Sequence, residues 1–270
     1  MRSLKLRDSV LAEGILAVLV VVVSAYTRVE LSSSFSTWQV LVSEAGRTRT
    51  LAGWWYVAVA IPLFQFLLYR WLWRLFIWTR LLWTLSRMNL QLTPTHPDLA
   101  AGLGFLGPAQ AKYGMVILAV SSVIASAIAE EILFGGRSLL EYKFLIAAHV
   151  ALVLLLFLGP LLVFSPRLLE VKRRGLLEYG ALANKYTLAF DRKWIKGEAP
   201  EGEMLIGSAD IQSLADLGNS FEYVRGMRLI PVDRNSIIPL IASAILPMAP
   251  LVLTMFPLDE LLLKILGILF

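Results

Sequence analysis

Cysteine is missing from the chain, and charged residues are scarce. The 270 residues include no Cys, so disulfides, thiolate catalysis and Cys-ligated zinc or iron–sulfur sites are excluded. Charged residues make up 17% of the chain, below the roughly 25% of soluble domains, whereas hydrophobic residues make up 57%. A chain of this size cannot bury so much apolar surface in one globular core. Lipid must cover the remainder, and the sequence therefore predicts an integral membrane protein.

Basic residues exceed acidic ones, 25 to 20, for a net charge of +5. Nucleic-acid binding is not indicated, because the basic residues lie at the ends of apolar runs, the pattern that orients membrane helices. They concentrate near the N-terminus, in residues 70–113 and in residues 167–234. This asymmetry predicts a cytoplasmic N-terminus, with Asn89–Tyr113 and Ser165–Ser236 also on the cytoplasmic side.

Five apolar runs approach the roughly 20 residues that a helix needs to cross a hydrocarbon core. Helices are required, because an isolated strand in lipid leaves its backbone groups unpaired. The first run resembles a signal peptide at its basic start, but its length favours an uncleaved span. The runs are Ser9–Val29, Leu51–Trp71, Gly114–Phe134, Phe144–Phe164 and Ile237–Phe256. The predicted fold is an all-α, polytopic transmembrane helical bundle of about five spans.

The second run has a helical extension that reaches Met88, and we expect this extension to be a long cytoplasmic helix. At about 1.5 Å per residue the whole helix is roughly 57 Å long. Tryptophans and arginines alternate in its second half, and both prefer the headgroup level of a bilayer. Voltage sensing requires arginine at every third position, which the spacing does not provide. The expected interfacial lipid anchors are Arg70, Trp71, Arg74 and Arg80.

Three parts make up the predicted organisation. Residues 1–165 form the transmembrane bundle with a cytoplasmic loop at 89–113, and residues 166–236 form a cytoplasmic helical segment. Residues 237–270 contain the last span and a short C-terminal helix. That span is expected to be kinked or split, because it contains Pro239, Pro247 and Pro250. The C-terminal helix then lies in the outer interface or, if the broken segment turns back, inside.

The cytoplasmic helical segment shows one stripe with helical spacing. Apolar residues recur every seven positions, at Leu169, Leu176, Ala183 and Phe190. We expect this stripe to pack on the extension of the second helix or on a neighbouring subunit. Ser208 then caps a short helix, Ala209–Leu217, which Gly218 is expected to close.

Ionisable groups inside predicted spans are costly and therefore indicate function. Glu130 and Glu131 lie near the outer end of the third span, and His149 lies near the outer end of the fourth. Such a Glu–His set can relay protons or hold a metal ion. Alternatively, the three groups border the outer interface and pair with Arg137 or Lys143. The sequence names no metal and no cofactor.

The same residues resemble two motifs of the CAAX-type intramembrane glutamate proteases. Those motifs place Arg four residues after a Glu-Glu pair and His four residues after Phe. In this chain Arg137 follows Glu131 by six residues, and His149 follows Phe144 by five. The resemblance implies a membrane enzyme whose site is formed by the Glu–His set.

A second candidate site lies in the loop at 89–113. His96 and Asp98 flank Pro97, and Gly102 and Gly104 follow within six residues of Asp98. These polar side chains can bind a ligand or a metal, or Asp98 can cap backbone donors in a rigid turn. Because apolar side chains also occur here, we expect the loop to dock beneath the bundle, against the inner ends of the spans.

Two segments resemble an uncharacterised family of bacterial multi-pass inner-membrane proteins. They are Pro-Thr-His-Pro-Asp with the following Gly-Leu-Gly-Phe-Leu (94–98 and 102–106), and Ala-Asp-Ile-Gln-Ser-Leu-Ala-Asp-Leu (209–217). The resemblance covers most of the chain and implies a bacterial inner membrane. It implies no particular activity.

Three functions stay open from the sequence. The first is a homo-oligomeric channel or small transport-type protein for an ion or small solute, because five helices leave little room for a pore in one protomer. The second is a non-catalytic scaffold or signalling component that presents its cytoplasmic segments to a partner. The third is the membrane enzyme. The lipid bilayer is a partner of all three.

Overall fold

The protein is described by a computed structural model covering residues 10–30, 38–43 and 46–255. Helices dominate, and the described residues include one two-stranded sheet. Within these described ranges, four helical runs are long and apolar enough to cross a membrane: Leu51–Ser86, Leu106–Gly135, Leu139–Ile195 and Arg234–Met255. The expectation of a helical fold is confirmed, and these apolar helices are compatible with an integral membrane protein. The number of spans and the cytoplasmic position of the long helix stay predictions.

The first helix, α1, covers Val10–Glu30. A short antiparallel hairpin follows, with β1 at Val40–Ser43 and β2 at Gly46–Arg49. This hairpin was not expected from the sequence. The carbonyl oxygen of Gln39 lies only 2.2 Å from the position of a Cβ on Gly53, so glycine is required for the hairpin to approach the next helix.

The second helix, α2, runs over Leu51–Ser86. Thr50 caps it, accepting a hydrogen bond from the backbone N–H of Gly53 at 2.9 Å. A π-helical turn at Tyr56–Ala60 interrupts the regular geometry just before Pro62. Proline has no N–H to donate to the preceding turn, which gives a physical reason for the irregularity there.

The next helices are α3 at Leu106–Ala111, α4 at Gly114–Gly135 and α5 at Lys143–Leu158. A three-ten turn at Leu139–Tyr142 leads into α5, and another at Gly159–Phe164 follows it. The helices α6, Ser165–Phe190, and α7, Ala209–Gly226, come next. The sequence-based prediction that Gly218 ends α7 was wrong: the helix continues because its later residues, including Phe221 and Val224, pack on α6.

The last described helix, α8, covers Arg234–Ile245 and changes to three-ten geometry over Leu246–Met255. The change occurs beside Pro247, in the span where the three prolines predict a break. The expected short C-terminal helix lies outside the described residues, as do the basic residues before Val10.

Two compact units divide the chain. The first consists of residues 1–81, 113–154 and 240–270, and its core joins α4 to the last three-ten segment through Ala125, Ile128, Met248 and Leu251. The second consists of residues 82–112 and 155–239. In the second unit α6 and α7 are antiparallel, because Gly175 lies against Val224 while Gly180 lies against Phe221.

Candidate functional site

Two helices of the first unit bring a buried polar pair together. Ser121 of α4 and His149 of α5 form a hydrogen bond, with 2.8 Å between Oγ and Nε2. Ser121 is fully buried and His149 is 8% exposed. The bond survives a change of protonation, because the hydroxyl accepts from a protonated Nε2 and donates to an unprotonated one. The pair can therefore hold or pass a proton.

The neighbouring serines of α4 behave differently. Ser122 donates to the backbone oxygen of Leu118, and Ser126 donates to that of Val123, both at 2.8 Å. These bonds stay within their own helix, which is how an isolated hydroxyl is satisfied in an apolar setting. Ser121 instead joins α4 to α5. Sequence reasoning missed Ser121, because nothing in the sequence distinguishes it from Ser122.

The glutamates of the expected outer set lie elsewhere on α4. Ser121 is the eighth of its 22 residues, and Glu131 is the eighteenth. This separation is about 15 Å along the helix axis. The described residues contain no group of three His, Asp or Glu side chains placed to hold a metal ion. The structure therefore brings His149 to Ser121 and not to Glu130 or Glu131.

Glu131 takes part in the turn after α4. Its carboxylate lies 3.8 Å from the guanidinium of Arg137, which also lies 3.5 Å from that of Glu141. Ser138 and Glu141 form a capping box at the start of the next turn. All three ion-pair side chains are about half exposed. Pairing with Arg137 is the arrangement that the sequence offered as the alternative to a relay.

The loop candidate is built around the carboxylate of Asp98. Its oxygens accept hydrogen bonds from the backbone N–H groups of Ala100, Gly102 and Gly104 at 2.8, 3.1 and 2.8 Å. A Cβ on Gly104 would lie 2.8 Å from that of Asp98, so only glycine allows this approach. All four residues proposed for this site therefore lie close together, since His96 contacts Asp98 as well.

His96 lies 2.8 Å from Oδ1 of Asp98 through its Nδ1. The same nitrogen lies 3.3 Å from the backbone nitrogen of Asp98. Nδ1 either donates a proton to the carboxylate or accepts one from this N–H, and it cannot do both. We assign the proton to Nδ1, because the contact with the carboxylate is shorter and involves a charged acceptor. His96 is 45% exposed and serves as one more donor to Asp98.

Hydrogen bonds set the charge state of Asp98. Partial burial acts to raise the pKa of its carboxyl, but the donors from Ala100, Gly104, Gly102 and His96 together outweigh burial and lower that pKa. The carboxylate is thus held ionised and is already saturated with donors. This arrangement suits a structural centre, the alternative offered by the sequence, better than a metal ligand.

The backbone around Asp98 is unusual. Leu99 and Ala101 have φ angles of 54° and 55°, the left-handed region that non-glycine residues rarely occupy. Gly102 follows with φ of 94°. Arg228, two residues after the end of α7, holds this conformation by donating its backbone N–H to the oxygen of Leu99 at 2.7 Å. No sequence signal singles out Arg228.

The expected lipid anchors on α2 have partners within the first unit. Arg70 forms an ion pair with Glu13 of α1 at 3.1 Å. Arg74 lies over the ring of Trp71 at 5.1 Å, and Trp71 meets Tyr113 edge to face. Arg80 is exposed. Arg70 thus joins two helices, whereas Trp71 and Arg74 form an aromatic and basic cluster.

A polar clasp closes the α6–α7 hairpin of the second unit. Asp210 accepts hydrogen bonds from Lys193 Nζ at 2.8 Å and from Trp194 Nε1 at 2.9 Å. The hydrogen bond from Lys193 has the largest effect on the pKa of Asp210 and lowers it, and the bond from Trp194 lowers it further. The backbone oxygen of Asp210 accepts from the hydroxyl of Tyr186. The clasp fixes the start of α7. Its polar groups bond to one another, so it is a structural feature and not a candidate binding site.

No family model, no curated protein and no solved structure matches this chain.

Proposed function

We propose that this chain is a transport-type integral membrane protein whose polar centre is the Ser121–His149 pair. The observation that carries the proposal is the bond between two candidate spans, buried among apolar residues at 2.8 Å. Ionisable groups at membrane depth are costly, and those present commonly serve ion or proton pathways.

The chemistry of the pair favours a proton or a small polar solute. An imidazole can gain and lose a proton, and the hydrogen bond between His149 and Ser121 is available in both states. A hydroxyl and an imidazole also offer both donors and acceptors to a neutral solute. The pair supplies no fixed negative charge, which argues against a site dedicated to metal cations.

Self-association completes this proposal. About five helices leave little room for a pore within one protomer, whereas a ring of subunits builds one. The charge asymmetry and the resemblance to bacterial inner-membrane proteins support a bacterial inner membrane, with a cytoplasmic N-terminus.

Purified protein in proteoliposomes that contain a pH-sensitive dye tests the proposal. Wild type should dissipate an imposed pH gradient or carry current, and His149→Ala and Ser121→Ala should abolish that flux while the protein still folds. Ser122→Ala is the matched control, because Ser122 bonds its own backbone. Absence of flux in wild type, measured with the dye for protons and by vesicle swelling for neutral solutes, or full flux in both variants, overturns the proposal.

A scaffold or signalling role is the second candidate, and exposed apolar side chains favour it. Met204, Leu205 and Ile206 are 76, 42 and 90% exposed in the segment between α6 and α7. Side chains of this kind mark protein contacts when they occur together. A photo-crosslinker in place of Ile206 should then capture one protein of defined mass in cells, whereas a crosslinker in place of Glu198 should not. The membrane enzyme has less support, since His149 and the glutamates are apart.

A further inference from the structure

Gln110 is a fully buried amide in α3, with no exposed surface. Neither its Oε1 nor its Nε2 has a hydrogen-bond partner among the described residues. A buried amide without partners is destabilising, since it loses its bonds to water and gains none in return. Most buried side-chain polar atoms in proteins are bonded, so this one requires an explanation.

Polar atoms of the second unit lie against α3 at Gly107. Gly107 lies one helical turn before Gln110 and thus on the same side of α3. A Cβ on Gly107 would lie 2.5 Å from Oγ of Ser236 and 3.2 Å from the backbone oxygen of Pro231. Ser236 already donates its hydroxyl proton to Asp233. Gly107 therefore places this side of α3 against the start of α8.

We propose that Gln110 binds a small neutral ligand that donates and accepts hydrogen bonds at once. An anion would satisfy Nε2 alone, and a cation would satisfy Oε1 alone, whereas a hydroxyl satisfies both atoms. Water is the smallest such ligand, and a hydroxyl-bearing solute has the same chemistry. This inference goes beyond the proposed transport role and does not depend on His149, so either can fail alone.

Thermal unfolding of Gln110→Met in detergent tests the proposal. The direction in which the unfolding temperature changes relative to wild type decides the outcome. Methionine keeps the length of the side chain and removes both hydrogen-bonding atoms. If the amide holds a ligand, the variant should unfold at a lower temperature than wild type. If the amide binds nothing, removing it should leave the midpoint unchanged or raise it, and that result overturns the proposal. Gln212→Met, at an exposed position of α7, is the control for the substitution itself.

Adding glycerol separates the two sources of ligand. A hydroxyl-bearing solute site predicts that glycerol raises the unfolding midpoint of wild type more than that of Gln110→Met. A water site predicts equal shifts. Should Gln110→Met fail to fold, cryo-electron microscopy of wild type in nanodiscs decides instead. Separate density within hydrogen-bond distance of the Gln110 amide supports the proposal, and a direct bond from that amide to a protein group overturns it.

Discussion

Arg228 donates from Nη2 to the main-chain oxygen of Asp98 at 2.6 Å, joining positions 130 residues apart. Its Nη1 donates to the oxygen of Val232 at 2.9 Å, and its backbone N–H donates to that of Leu99. The planar guanidinium can reach two carbonyls at fixed angles, which a lysine ammonium does with less geometric restraint. One side chain thus fixes the loop to the segment after α7.

Arg228→Lys should therefore destabilise the protein by about 1.5–3 kcal/mol, the range for a hydrogen bond that involves a charged group. The measurement is the free energy of unfolding in detergent. Arg225→Lys is the control, because Arg225 is exposed and its ion pair among the described residues is with Glu222 of its own helix, at 3.3 Å. It should change stability by less than about 0.5 kcal/mol. Equal effects of the two substitutions would contradict the role of Arg228.

Asp98→Asn should destabilise the protein at neutral pH and not in acid. The folded state lowers the pKa of Asp98 below its ordinary value of 3.8, so the unfolded chain binds the proton more readily. The stabilisation is therefore complete above that value and is lost as pH falls through the folded pKa. Unfolding free energies of wild type and variant, compared from pH 7 downward, should converge in acid.

Asp216→Asn serves as the control for that experiment, since Asp216 is exposed on α7. The Asp216→Asn variant should show no comparable loss of unfolding free energy at neutral pH. A deficit in Asp98→Asn that persists undiminished in strong acid would show that the carboxylate charge is not what stabilises the loop.

Gly175→Ala and Gly218→Ala should have opposite effects. A Cβ on Gly175 would lie 2.8 Å from Cβ of Pro94 and 3.0 Å from Cγ1 of Val224, so alanine must push α6 from both. Overpacking of this kind costs about 1–3 kcal/mol. Gly218 has open space around it within α7. Alanine there should stabilise the protein by up to about 1 kcal/mol, through helix propensity alone. Thermal unfolding distinguishes the two, and a tolerated Gly175→Ala would refute the packing.

Single-cysteine labelling checks the predicted orientation, and the native chain contributes no cysteine background. Leu41→Cys in β1 should react with a membrane-impermeant maleimide in intact cells. Pro200→Cys, between α6 and α7, should react only after lysis. Both positions are exposed, so access to each depends on the side of the membrane. Labelling of Pro200→Cys in intact cells would reverse the orientation.

The sequence predicts the position of a helix well where the length of an apolar run is enough to define it. The predicted span Gly114–Phe134 is within one residue of α4, because lipid-length apolar runs leave helix as the sole solution. Gly218 misled the prediction for α7, since its intrinsic tendency to end a helix is overridden by packing on α6. The β1–β2 hairpin was missed because its residues lack alternating hydrophobicity.

The candidate sites were predictable only in their local parts. Asp98 and His96 are two residues apart, and their adjacency to glycines indicated a turn built on a carboxylate. The partners Arg228 and Ser121 were not found, because they reach Asp98 and His149 from distant sequence positions. A single sequence does not show which residues far apart along the chain come into contact, and the fold is needed to identify these pairs.

The two left-handed residues of the loop, Leu99 and Ala101, can be fixed in their final conformation only late in synthesis. Their conformation depends on Arg228, which leaves the ribosome 130 residues after Asp98. At about 5–20 residues per second, that delay is on the order of ten seconds. During this interval the neighbouring spans can insert while the loop still lacks its anchor. We therefore expect the nascent loop to be a substrate for proteases and chaperones until α7 and the residues after it are synthesised.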